Sequence, residues 1–102
     1  MADSAPLIDN PEIITMLKAV ANGQRYTIIK ELIKGEKNVG ELESYSTLSQ
    51  SALSQHLARL RRDKIVETRR QAQLIYYYLS NQNVISLVKY LDQMATEGDR
   101  QD

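Results

Sequence analysis

The 102-residue sequence predicts a mainly α-helical (α+β) domain with one β-hairpin, in the order α-α-α-α-β-β-α. Two observations carry this. Apolar residues recur at helical spacing through most of the chain, and the period turns strand-like only across residues 65–79, where β-branched and aromatic residues crowd. Length adds that this is one domain with a single modest core.

The first helix is expected from about Pro11 to Ala21, with Asn10 as N-cap, Pro11 at the first helical position and Glu12 near the positive end of the dipole. Ile13, Ile14, Leu17, Val20 and Ala21 recur along it. Asn22-Gly23 breaks it. A second helix from about Gln24 to Lys34 should bury Tyr26, Ile28, Ile29, Leu32 and Ile33, with Gly35 ending it. In "NVGELESYS", Asn38 can cap a short helix that turns Val39 and Leu42 inward. The stretch "LSQSALSQHLARLRR" at 48–62 then places Leu53, Leu57 and Leu60 on one stripe behind a Ser49 cap. "KIVETRR" and "LIYYYLS" read as strands around a polar "RRQAQ" linker of about five residues. A last helix from about Asn83 to Ala95 aligns Val84, Leu87, Val88, Leu91 and Met94. Polar residues 1–9 and 96–102 are expected to be flexible ends, leaving 10–95 as the domain. A short helix, a tight turn and a longer helix followed by a hairpin make a winged helix-turn-helix.

Composition restricts the function. Hydrophobic content of 42% and charged content of 25% are ordinary for a globular domain. No run approaches the roughly 20 apolar residues of a membrane span, and "MADSAPLIDNPE" has no basic leader segment. No cysteine is present, so disulfides, thiolate metal sites and thiol nucleophiles are excluded. A cytoplasmic location is expected. With one histidine and no cysteine, no nucleophile–base pair or metal centre can be assembled, and Glu41 and Glu43, two apart, point to different sides. No enzyme activity, cofactor, metal or membrane partner is expected.

Net charge is zero, but residues 49–73 hold six basic groups against two acids. On helix 49–62 the side opposite the leucines is Ser, Gln, His and Arg, with no carboxylate. Amides and hydroxyls that can pair with base edges, and no acids facing phosphate, suit insertion into a DNA major groove. Ser49, Gln50, Ser51, Ser54 and Gln55 are the candidates near the helix start, and Arg59 and Arg62 are candidate phosphate contacts. A solvated helix that is merely rich in Ser and Gln is the plain alternative. Arg69, Arg70, Gln71 and Gln73 are expected at the hairpin tip, where arginine can meet phosphate or a narrow minor groove. His56 can contact DNA or pack at the turn, and Arg25 can clamp a phosphate or be an ordinary surface residue. Tyr76, Tyr77 and Tyr78 should alternate faces, one face packing on helix 49–62. The terminal helices carry more apolar residues than so small a core needs. Ile13, Ile14, Leu17, Leu87, Leu91 and Met94 are therefore expected at a homodimer interface that sets two helices into successive grooves of a pseudo-palindromic site.

Residues 16–95, above all "LSQSALSQHLARLRR" followed by "VETRRQAQLIYYYL", resemble the ArsR/SmtB-type winged-helix regulators of bacteria, and among them the NolR/HlyU-like subgroup without metal-ligand motifs. The resemblance implies a homodimeric repressor or anti-silencer in the bacterial cytoplasm, associated with the nucleoid, that binds double-stranded operator DNA through helix 49–62 and the wing. Where metal sensors of the family carry a Cys-x-Cys-type motif, this chain has Glu41-Leu42-Glu43-Ser44, and the last helix has no histidine. The cysteine positions of thiol-switching relatives fall on Glu43 and about Thr96. The competing reading is a winged-helix module that docks an acidic protein surface and never touches DNA.

Overall fold

The computed structural model describes residues 10–100. Its elements run α1 (Pro11–Val20), α2 (Gly23–Ile33), β1 (Lys37–Asn38), α3 (Val39–Glu43), α4 (Gln50–Arg62), β2 (Val66–Gln71), β3 (Leu74–Leu79) and α5 (Gln82–Arg100). The arrangement is the expected winged helix-turn-helix with one addition, the two-residue strand β1. It pairs antiparallel with β3, giving a three-stranded sheet in the order β1-β3-β2.

Each helix begins on a short polar side chain that accepts a hydrogen bond from its first turn. Asn10 accepts from Ile13, Asn22 from Arg25, Ser49 from Ala52, and Asn81 from both Asn83 and Val84. On the five-residue α3 the cap is reciprocal: Asn38 Oδ1 accepts from Glu41 N (2.8 Å), and Glu41 Oε1 accepts from Asn38 N (2.9 Å). So short a helix has little stability of its own, and the paired cap helps hold it.

The leucine stripe of α4 is the centre of the core. Leu53, Leu57 and Leu60 are fully buried with Ile29, Leu42, Val84 and Val88. Ile65 and Val66, entering the wing, are buried too. Strand β2 lies against α4, whereas β3 lies against α2 and α3. Tyr77 packs on the core and Tyr76 faces the other side of the sheet, so the alternation holds, but α2 takes the place expected of helix 49–62.

Several boundaries move. Tyr26 and Ile33 are only partly buried, packing on the edge of the core. On α1 the inward residues are Met16, Ala19 and Val20, while Ala21 is exposed. Helix α5 does not stop at Ala95 but continues to Arg100, beyond the expected end of the helix. Side chains support the extra turns: Thr96 Oγ1 donates to Asp92 O (3.0 Å) and Gln93 Nε2 to Glu97 (3.3 Å). The expected flexibility of residues 1–9, 101 and 102 lies outside the described residues.

Candidate nucleic-acid interface

Burying Leu53, Leu57 and Leu60 fixes what α4 presents to solvent. At 100° per residue, the direction opposite that stripe is occupied by Ser51, Gln55, Ala58 and Arg62. All four are exposed, flanked by exposed Gln50, Ser54 and Arg61. Ser51, Ser54 and Gln55 thus share one surface at the N-terminal half of the helix, and Gln50, in the first turn, is exposed at its edge toward the Leu57 side. Ser49 is committed to its cap, its Oγ accepting from Ala52 N at 3.1 Å. His56 is half-buried on the flank. Ala58, not singled out in the sequence, sits on the exposed crest, a small apolar side chain of the kind that suits contact with a thymine methyl. The signal was available in the helical wheel.

The cations behave differently from one another. Arg59 Nε bonds Asp63 Oδ2 at 2.9 Å, one turn along the helix. Arg62 also approaches Asp63, at 3.7 Å, but its side chain is 71% exposed and can swing outward. Asp63 is the C-cap of α4, where a carboxylate meets the negative end of the helix dipole, and the two arginines offset that. Arg59 is therefore a weaker phosphate candidate than the sequence suggested, and exposed Arg61 and Lys64 join Arg62 at this end. Arg25 is engaged within the fold. Its Nε donates to Ala19 O (2.9 Å) and its Nη2 to Lys18 O (3.2 Å), closing the last carbonyls of α1. Partial burial, with Arg59 nearby, pushes its guanidinium below the ordinary arginine range.

The wing turn is tighter than expected. Gln71 pairs with Leu74, so only Ala72 and Gln73 form the loop, and Arg69 and Arg70 lie within β2. Successive strand residues point to opposite faces. Arg70 shares a face with Thr68, Ile75 and Tyr77, whereas Arg69 shares the other with Gln71 and Tyr76. Arg69 is bound there by Glu36, in the turn before β1. Exposed Gln71, Gln73 and Leu74 complete the tip.

A second surface lies at the chain ends. Helices α1 and α5 pack on each other. Ile13, Ile14, Leu17 and Met94 are exposed at 37–49%, and Tyr90, not singled out in the sequence, at 61%. Leu87 and Leu91 are shared with the core rather than free. Among the described residues no group of three His, Cys, Asp or Glu is placed to hold a metal ion, and no helix is long and apolar enough to cross a membrane.

Comparison with known proteins agrees with this geometry. The profile of bacterial regulatory proteins of the arsR family matches residues 15–68. The transcriptional activator HlyU of Vibrio cholerae is 42% identical over 92 residues, covering 90% of this chain and 85% of HlyU. The nodulation protein NolR of Rhizobium meliloti is 49% identical over 72 residues, 71% of this chain and 59% of NolR. Among solved structures, HlyU superposes with a TM-score of 0.80 at 44% identity, covering 87% of this chain and 97% of HlyU. A homodimeric winged helix-turn-helix DNA-binding domain from Mycobacterium bovis gives 0.82 at 25% identity, covering 100% of this chain and 96% of that domain. The exposed helix, the wing and these relatives together place the chain in the arsR family of bacterial regulatory proteins, as a DNA-binding transcription regulator rather than an enzyme.

Proposed function

We propose that the chain binds a pseudo-palindromic operator as a homodimer in the bacterial cytoplasm, each protomer inserting α4 into a major groove and laying its wing on the adjacent backbone. The observation that carries this is the exposed face of α4, on which Ser51, Gln55, Ala58 and Arg62 stand in line without a carboxylate. Gln50 and Gln55 are suited to the N6/N7 edge of adenine, and Ser51 and Ser54 to either edge. Arg61, Arg62, Lys64 and Arg70 provide the salt-dependent contacts to phosphate. The exposed apolar residues of α1 and α5 support pairing across a two-fold axis, as does the homodimeric M. bovis relative. The relatives include both an activator and repressors, so membership of the family does not set the sign of regulation.

Selection of bound duplexes from a random pool, followed by anisotropy titration across salt, tests the proposal. An inverted repeat with half-sites about one helical turn apart is expected. Gln55→Ala should weaken binding to the selected site by about 1–3 kcal/mol and relax preference at one position in each half-site. Unchanged site selection by that variant would remove Gln55 from readout.

A further inference from the structure

The two wing arginines are neighbours in sequence but have opposite surroundings. Arg69 is held on three sides. Its Nε donates to Glu36 Oε1 at 2.6 Å, its Nη2 to Glu36 Oε2, and its Nη1 to Gln71 Oε1 at 2.8 Å. Its guanidinium carbon stands 4.8 Å from the ring centroid of Tyr76, its direct cross-strand partner. Glu36 reaches it from beyond β1, so the contact spans the sheet across its central strand. Arg70, on the other face, makes one long bond, Nε to Ala72 O at 3.2 Å, inside its own turn. A two-pronged guanidinium–carboxylate pair backed by an aromatic face is a geometry lysine cannot reproduce.

We infer that Glu36, Arg69 and Tyr76 form a latch that fixes the wing to the body of the domain, with Arg69 a positioning residue whose charge is withheld from DNA and Arg70 the wing's contact to phosphate. The assignment of Arg70 rests on the DNA-binding proposal above. The latch itself does not, because it acts in the free protein.

The absence of cysteine makes a clean test available. A spin label on Gln73→Cys, at the wing turn, reports its mobility without DNA. Glu36→Gln and Arg69→Gln should each shorten the label's correlation time, and the double variant should go no further than either. Arg69→Lys, which keeps the charge and loses the fork, should resemble Arg69→Gln. A label equally immobile in all four overturns the latch, provided circular dichroism shows each folded. On selected duplex DNA, Arg70→Gln should reduce the slope of log affinity against log salt by about 0.9, one phosphate contact, while Arg69→Gln leaves the slope unchanged. A slope lowered equally by both variants overturns the withheld charge. Loss of salt-dependent DNA binding in the parent protein would instead refute the functional proposal, leaving the mobility measurement to judge the latch.

Discussion

Among the described residues, two hold left-handed backbone without being glycine: Lys64 (φ 61°) and Ala72 (φ 57°). Lys64 follows the C-cap of α4, where the Ile65 N–H reaches back to Leu60 O (2.9 Å) and the Lys64 N–H to Arg61 O (3.0 Å). This pair of bonds, with buried Ile65 over buried Leu60, is a Schellman closure that normally places glycine where Lys64 stands. Lys64→Gly should therefore raise stability by about 1 kcal/mol, read as a rise of several degrees in thermal midpoint. Because Lys64 is also a candidate phosphate contact, DNA affinity should fall as stability rises. Ala72 explains an error of reading. "RRQAQ" contains no glycine or asparagine, the residues that usually mark a two-residue hairpin turn, so its tightness could not be seen. Nor could the latch, since Glu36 and Arg69 are 33 positions apart. Their bond holds the Glu36 carboxyl below the ordinary glutamate range. A depressed carboxyl contributes its contact above its unfolded value and loses it as pH falls through the folded one. The wing label should accordingly stay immobile through the usual glutamate titration and loosen only below it. Loosening within that range would contradict the bond.

Among the elements, α4 was readable because leucines at i, i+4 and i+7 leave one solution for which side is inward. Leu57→Ala, at a position with no exposure, should cost roughly 2–5 kcal/mol, a large share of the 5–15 kcal/mol that stabilises a domain of this kind. Urea unfolding would read it as a lower midpoint. Strand β1 was not readable. Two residues leave no alternation, and β1 exists because β3 offers an open edge to Lys37 and Asn38. Asn38 ends that strand, opposite Tyr76, and in the same place caps α3. Asn38→Ala should cost about 1 kcal/mol, while Asn38→Asp, which keeps the acceptor, should cost less; equal losses in the two thermal melts would dismiss the cap. The end of α5 was misplaced for a related reason, since its last turns are polar and carry no apolar stripe to follow.

For the whole molecule, the surfaces divide by chemistry. Arginine and amide side chains gather on α4 and the wing, where Leu74, Ile75 and Tyr78 are exposed too, and a second group of exposed apolar side chains lies on α1 and α5. The Lys30–Asp92 ion pair (2.9 Å) joins α2 to α5, and its hydrogen bond raises the lysine above its ordinary value. Helix α1 displays a reason for the separation that the sequence only hinted at. Its apolar residues serve two faces, with Met16, Ala19 and Val20 turned inward and Ile13, Ile14 and Leu17 outward. A monomer gains nothing from the second set. If that set and Met94 pair two protomers, a Leu17→Lys/Met94→Lys variant should keep its helical circular dichroism, because both positions are exposed in the fold. Sedimentation should show it as a monomer at concentrations where the parent protein is dimeric. The two half-sites would then no longer be bound as one ligand, and affinity for the full operator should fall by roughly 10²–10⁴, toward that for a single half-site. Affinity for an isolated half-site should hardly change. A variant that stays dimeric, or a monomer that binds the full operator as tightly as the parent, would place the dimer interface elsewhere.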